Sequence, residues 1–187
     1  GINVGLVNDG TNMTIVYQSN AGSVGQNSKT DKIYAQKIDT DGQSVWNGLW
    51  TNSTSNLTNV RYKSNASLLG DGTILVTGGQ DAAGATLSSA EVYNPSTQTS
   101  TVVGNNMTTN RIGHRTTLLT NGQVLITGGG SSQITGSSSA NLYNPATNTF
   151  IATTGNMIGL RNKHTATLLS NGRVLLAGGL GISTTYL

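Results

Sequence analysis

Cysteine is absent from the 187 residues, which excludes disulfides, thiolate metal sites, covalent haem attachment and cysteine nucleophiles, and fits either redox compartment. Charge is scarce: 9% of the chain against roughly 25% in ordinary soluble domains, with Asn, Thr, Ser and Gly in the places that Lys and Glu usually fill. Solubility by neutral polar groups is commoner in secreted and surface proteins than in cytosolic enzymes, so an extracellular or cell-surface location is expected. Aromatic residues amount to 5%, and the basic excess is mild and scattered, which excludes the clustered cations and stacking rings of a nucleic-acid binder. No apolar run in this stretch approaches the length of a membrane span, and none of it reads as a signal peptide. Acidic residues are missing after Glu91, which leaves Arg111, Arg115, Arg161, Lys163 and Arg173 unopposed in the second half of the chain.

What is abundant is repetition. Arg61, Arg111 and Arg161 stand 50 positions apart, as do Leu69, Leu119 and Leu169, then Gly72, Gly122 and Gly172, then Gly79, Gly129 and Gly179. Tyr93 with Pro95 recurs as Tyr143 with Pro145. A fixed period means one supersecondary unit copied in tandem, none of which buries its apolar face alone. The copies run over about 57–106, 107–156 and 157–187, and the third stops short of position 191, where the counterpart of Glu91 and Asn141 belongs. With Gly1 in place of an initiating Met, both ends read as cuts in a longer protein.

In the middle copy, Gly113 to Leu119 suits a strand, Asn121-Gly122 a tight turn that needs φ > 0, and Val124-Leu125-Ile126 a second strand. A soft stretch, Ser131 to Ser138, leads to a third strand, Ala140 to Tyr143. The turn Asn144-Pro145-Ala146-Thr147 then precedes a fourth, Thr149 to Ala152. Val124-Leu125-Ile126 does not alternate with polar residues, so both faces of the sheet must be covered. Four-stranded antiparallel sheets stacked around an axis cover one another in this way, and the expected fold is an all-β propeller, present as about three to four blades. The glycines after each apolar strand are expected to allow close backbone approach between blades. They are no phosphate cradle, because no amphipathic helix follows Gly130.

The pattern Arg111-x-x-His114, Leu118-Leu119, Asn121-Gly122, apolar strand, Gly128-Gly129 and Tyr143-Asn144-Pro145-x-Thr147 resembles a kelch repeat, over residues 57 to 187. The resemblance implies that the double glycine closes the second strand and that a Tyr and a Trp pack between blades. Tyr93 and Tyr143 match the Tyr, and Ser100 and Phe150 stand in the Trp position, a departure expected to loosen the outer blade of the first copy. Residues 1–50 do not keep the period. With Lys32 to Ile38, Asp39-Thr40-Asp41-Gly42 and Trp46 they resemble a second, bacterial type of propeller repeat and read as a divergent blade, joined by a polar connector at 51–60.

Candidate chemistry is sparse. His114 and His164 share one repeat position and are able in principle to share a metal; the alternative is a His hydrogen-bonded within its own blade. The resemblance puts Arg61, Arg111 and Arg161 near one mouth of the central channel, as a ring for carboxylates or acidic sugars or else pinned to carbonyls of the neighbouring blade. Asp39-x-Asp41-Gly42 lacks the later ligands of a calcium loop and reads as a turn. Asn12, Asn52, Asn56 and Asn106 begin glycosylation triplets open to modification, whereas Asn65 falls on an inner strand with no room for a glycan. No cofactor and no catalytic constellation is expected. The expected function is a non-enzymatic module presenting loops to a protein, a glycan or its own copies. The alternative is the propeller domain of an extracellular carbohydrate-active enzyme or of a galactose-oxidase-like copper oxidase, with catalytic residues outside this stretch.

Overall fold

A computed structural model of the chain describes residues 57–181 in full, together with the backbone of three earlier strands, β1 (Val4–Asn8), β2 (Asn12–Ser19) and β3 (Lys32–Asp39). These three form an antiparallel sheet in the order β1-β2-β3, with Val4 opposite Tyr17 and Asn12 opposite Asp39. The turn at Asp39-Asp41-Gly42 and the closing stretch at Trp46 lie outside the described residues beyond Asp39 itself.

Two complete meanders follow. The first comprises β4 (Asn65–Leu68), β5 (Ile74–Thr77), β6 (Ala90–Asn94) and β7 (Thr99–Val102). The second comprises β8 (Arg115–Leu118), β9 (Val124–Thr127), β10 (Ala140–Asn144) and β11 (Thr149–Ala152). A third sheet is described for β12 (Thr165–Leu168) and β13 (Val174–Ala177). Every pairing is antiparallel between sequence neighbours, and the registers repeat with the period: Leu68 faces Ile74, Leu118 faces Val124 and Leu168 faces Val174. The first strand of each sheet begins at residue 65, 115 or 165, two residues later than the expected start at Gly113. Gly113 has φ +67°, as Lys63 and Lys163 have φ +58°, and a strand cannot include that left-handed turn.

The sheets stack as blades. Leu75, Leu69, Ala90, Val103 and Met107 of the first pack with Val124, Ile126, Tyr143 and Phe150 of the second in one buried cluster, while Ile74, Val76 and Tyr93 face the other side of the first blade. One repeat position reads the cover directly. Leu75 is 0% exposed beneath a four-stranded neighbour, Leu125 is half-buried beneath the two described strands of the third sheet, and Leu175, with no described neighbour, is 53% exposed. Covering a leucine side chain fully is worth about 1.5–3 kcal/mol, so each blade draws much of its stability from the next.

Ser100, half-buried on β7, takes the position of the expected Trp in the first blade. Its hydroxyl donates to Glu91 Oε2 at 2.9 Å, whereas its counterpart Phe150 is 4% exposed and packs its ring 5.3 Å from that of Tyr143. The two copies change together: Glu91 with Ser100 in one, Asn141 with Phe150 in the other. The Thr58 and Asn59 amides donate to the Glu91 carboxylate, which ties the start of the first copy to its blade.

Candidate functional site

Each blade is approached through the segment that carries the recurring Arg, and that residue turns inward. Arg61 is 0% exposed; its Nη1 donates to the carbonyls of Gly78 (2.9 Å) and Ser89 (3.0 Å), and its Nη2 forms an ion pair with Glu91 at 2.8 Å. Arg111, also 0% exposed, repeats the fork onto Gly128 (2.6 Å) and Ser139 (3.0 Å), with Asn141 Oδ1 at 3.0 Å where Glu91 stands in the first blade. These acceptors lie in the same blade as the Arg and not in its neighbour, which corrects the expected pinning. Nor do Arg61 and Arg111 present guanidinium groups to a ligand. Arg161 is half-buried and donates to Gly178 at 2.7 Å.

Burial pushes the Glu91 carboxyl up, yet hydrogen bonds from Arg61, the Asn59 amide and Ser100, with the Arg61 charge, outweigh it and hold the group below the ordinary carboxylate range. In the second blade no carboxylate offsets desolvation, and burial lowers Arg111 to about 10. Arg111 stays charged at neutral pH through carbonyl and amide oxygens alone.

The histidines join blades. His114 Nε2 lies 2.8 Å from Thr77 Oγ1 of the preceding blade, and His164 Nε2 lies 2.8 Å from Thr127 Oγ1. The expected partner within the same blade is therefore replaced by one across the joint. Both rings are 1% exposed. Burial, with Arg111, Arg115 and His164 nearby, lowers His114 to about 3, and burial, with Arg115 and Arg161, lowers His164 to about 4. Both are neutral under ordinary conditions.

The double glycine makes this joint possible. A Cβ on Gly128 would stand 2.6 Å from the Arg161 carbonyl oxygen and 2.8 Å from His164 Cε1, and Gly78 is placed equally against Arg111 and His114. Gly79 and Gly129 donate their amides to those same Arg carbonyls at 2.9 and 2.8 Å. The Arg backbone and the His ring of one blade thus occupy the space that a side chain would take in the blade before. Among the described residues no group of three or more His, Cys, Asp or Glu is placed to hold a metal ion.

Among the described residues, one accessible opening lies where the three approach segments converge. A cleft of about 290 Å³ is lined by Lys63, Ser64 and Asn65 from the first blade, Ile112 to Arg115 from the second, and Asn162 and Lys163 from the third, with Gln133. Its lining varies between copies: Lys63, Gly113 and Lys163 share one position, and Asn65, Arg115 and Thr165 another. Gly113 is required, because Asn162 Oδ1 lies against the point where its Cβ would be. Asn162 Nδ2 donates to the carbonyls of Ser132 (3.0 Å) and Thr135 (2.7 Å), fixing the loop that carries Gln133. Asn65 is engaged as well, donating to the His114 carbonyl at 3.0 Å and accepting from Thr116. The lysines, Gln133 and Asn162 were not legible as a site. One signal was that positions 62, 63 and 65 vary among the copies while Arg61, Arg111 and Arg161 do not.

Of the glycosylation candidates, Asn106 is exposed after β7, with Thr108 Oγ1 donating to Asn141 at 3.0 Å. Asn12 begins β2, and Asn52 and Asn56 lie outside the described residues.

The Kelch motif family model matches residues 61–107, the whole of the first complete blade from its Arg onward. The meander and joint of that blade recur at the same period in the next. These repeats form kelch-type β-propeller blades. The solved structure of YjhT, a propeller protein, is similar over 95% of this chain with a TM-score of 0.69 at 15% identity, a likeness of fold alone. The chain spans 57% of the length of YjhT. No curated protein matches the chain by sequence. Kelch propellers are binding or structural modules in general, and the described residues contain no helix long and apolar enough to cross a membrane.

Proposed function

We propose that this chain is a non-enzymatic binding module of a secreted or cell-surface protein, which presents the loops around the cleft to a protein partner. One observation carries the reading. The polar residues that recur with the period, Arg61 and Arg111 with their acceptors and His114 and His164 with theirs, are enclosed within and between blades, whereas cleft positions vary among the copies, with Lys63, Gly113 and Lys163 at one and Asn65, Arg115 and Thr165 at another. A rigid scaffold with variable loops is how binding surfaces are built on repeat proteins. The low charge and the exposed triplet at Asn106 support an extracellular setting.

Protease treatment of intact producing cells, with an antibody against the protein, tests the location: loss of the signal or its presence in the medium is expected, and full protection in the cytosol overturns that part. Immobilised intact protein presented to arrays of extracellular proteins and of glycans tests the class of partner. Saturable binding to a protein that is lost on replacing residues 131–138 is expected. Binding to glycans alone moves the reading to a lectin-like module or to the carbohydrate-active alternative.

A further inference from the structure

The second blade has an outer edge that its own sequence does not defend. β11 ends the sheet order β11-β10-β9-β8, so β10 pairs one side of it, and among the described residues no strand pairs the other. Such edges are ordinarily kept from pairing with another chain by charge, by Pro or by a bulge. β11 reads Thr-Phe-Ile-Ala, its register with β10 is unbroken from Ala152 to Thr149, and no Asp, Glu, Lys or Arg stands anywhere from residue 116 to 160. Ile151 is 53% exposed on it. An uncharged run of high β-propensity at a sheet edge is a template for addition of a like strand.

What covers this edge is a side chain from the blade before. Asn105, which follows β7, accepts from the Phe150 amide at 2.7 Å through Oδ1 and donates to the Phe150 carbonyl at 2.9 Å through Nδ2. A carboxamide carries the donor and acceptor of a peptide unit, and this exchange with a single residue is what a hydrogen-bonded pair of antiparallel strands makes. The Gly104 amide donates to the Asn148 carbonyl at 3.1 Å, so Gly104 and Asn105 together act as a two-residue strand. These bonds are intramolecular, and an incoming strand must displace partners held at high effective concentration. The cover is not part of the repeat. One period later Gly104 and Asn105 become Thr154 and Gly155, and Gly155 has no side chain to offer.

We propose that the outer edge of β11 is a pairing surface for β11 of a second copy, and that Asn105 holds it shut. The fit follows from the edge itself. Two β11 strands set antiparallel about a two-fold axis at Phe150 give each Phe150 the same amide and carbonyl bonds that Asn105 now provides, an isologous contact that closes at two copies. Thr149 of each strand then lies opposite Ile151 of the other, neutral β-branched residues that suit a cross-strand pair and bring no repulsion.

The test compares variants of the intact protein by sedimentation velocity over a range of concentrations. Asn105→Ala removes both bonds at an exposed position, and it should strengthen self-association about tenfold or more. Adding Ile151→Lys puts a charge on the edge and should return association to the native level. Thr77→Val weakens the buried joint between blades and leaves the edge covered, so it should associate no more than the native protein. A labelled peptide of residues 147–153, Thr-Asn-Thr-Phe-Ile-Ala-Thr, reads the edge by fluorescence anisotropy. Asn105→Ala should bind it at least about tenfold more tightly than the native protein does.

Native-level self-association in Asn105→Ala, equal binding of the peptide by both proteins, or association that Ile151→Lys does not reverse overturns the proposal. Association of Thr77→Val to the same extent as Asn105→Ala also overturns it, in favour of a general loss of stability.

Discussion

Replacing Glu91 with Ala tests the interior of the first blade most directly. The carboxylate accepts from the Thr58 amide at 2.6 Å, the Asn59 amide at 3.0 Å, Arg61 Nη2 at 2.8 Å and the Ser100 hydroxyl at 2.9 Å, and both members of the ion pair are 0% exposed. Truncation leaves the Arg61 guanidinium buried without its counter-charge. Breaking one side of a buried pair costs about 3–5 kcal/mol, because the charge left behind is uncompensated. For a unit of this size that corresponds to a fall of roughly 6–20 °C in melting temperature. Removing both charges, as Glu91→Ala with Arg61→Met, should recover a large part of the loss, since the desolvated cation is gone as well. The assay is thermal unfolding of the intact protein followed by calorimetry, with Asn141→Ala as comparison. Asn141 accepts from Arg111 and Thr108 but carries no charge, so its truncation should cost less than that of Glu91. A Glu91→Ala protein melting within about 2 °C of the native one, a difference below 1 kcal/mol, would refute the assignment of this pair as the blade's internal tie.

Gly128→Val should destabilise far more than Gly122→Ala: Gly128 meets the Arg161 carbonyl and the His164 ring, whereas a Cβ on Gly122 meets nothing within 4 Å and carries only the strain of φ +81°, about 1 kcal/mol. Equal melting temperatures would remove the joint assigned to the double glycine. Thr77→Val, which deprives His114 Nε2 of its partner, should cost about 1–3 kcal/mol, measured by chemical denaturation. Acid should weaken the fold through the histidines, with a definite sign. Their folded values of about 3 and about 4 lie below the ordinary 6.5, so the unfolded chain takes up protons first and stability falls as pH drops from about 6.5 towards 4, by up to about 1.4 kcal/mol per pH unit for each His. Imidazole resonances titrating near 6.5 in the folded protein would contradict this, as would a stability profile flat from pH 7 to 4.

The fold was legible because it is written in periodicities that local chemistry enforces. The 50-residue interval, the turn dipeptides and the unalternating Val124-Leu125-Ile126 require a two-sided β meander whatever surrounds it, and the strands fall within a residue or two of where those signals put them. Where the left-handed turns at Lys63, Gly113 and Lys163 delay the strand, composition gave no warning, because Lys is a poor marker of positive φ. The double glycine announced close approach, but its partner did not appear in the sequence. That the space is filled by the Arg carbonyl and His ring of the next blade depends on two segments brought together by stacking.

The site was the least legible part, for the same reason. Recurrence drew attention to Arg61, Arg111, His114 and His164, and recurrence here marks what every blade needs internally. Lys63, Arg115 and Lys163 stand at two repeat positions on three different copies, so no local pattern relates them. Their meeting around one cleft follows from the convergence of the blades, and the absence of acids after Glu91, visible in the sequence as a charge asymmetry, becomes a feature of a surface only once the stacking places those residues side by side.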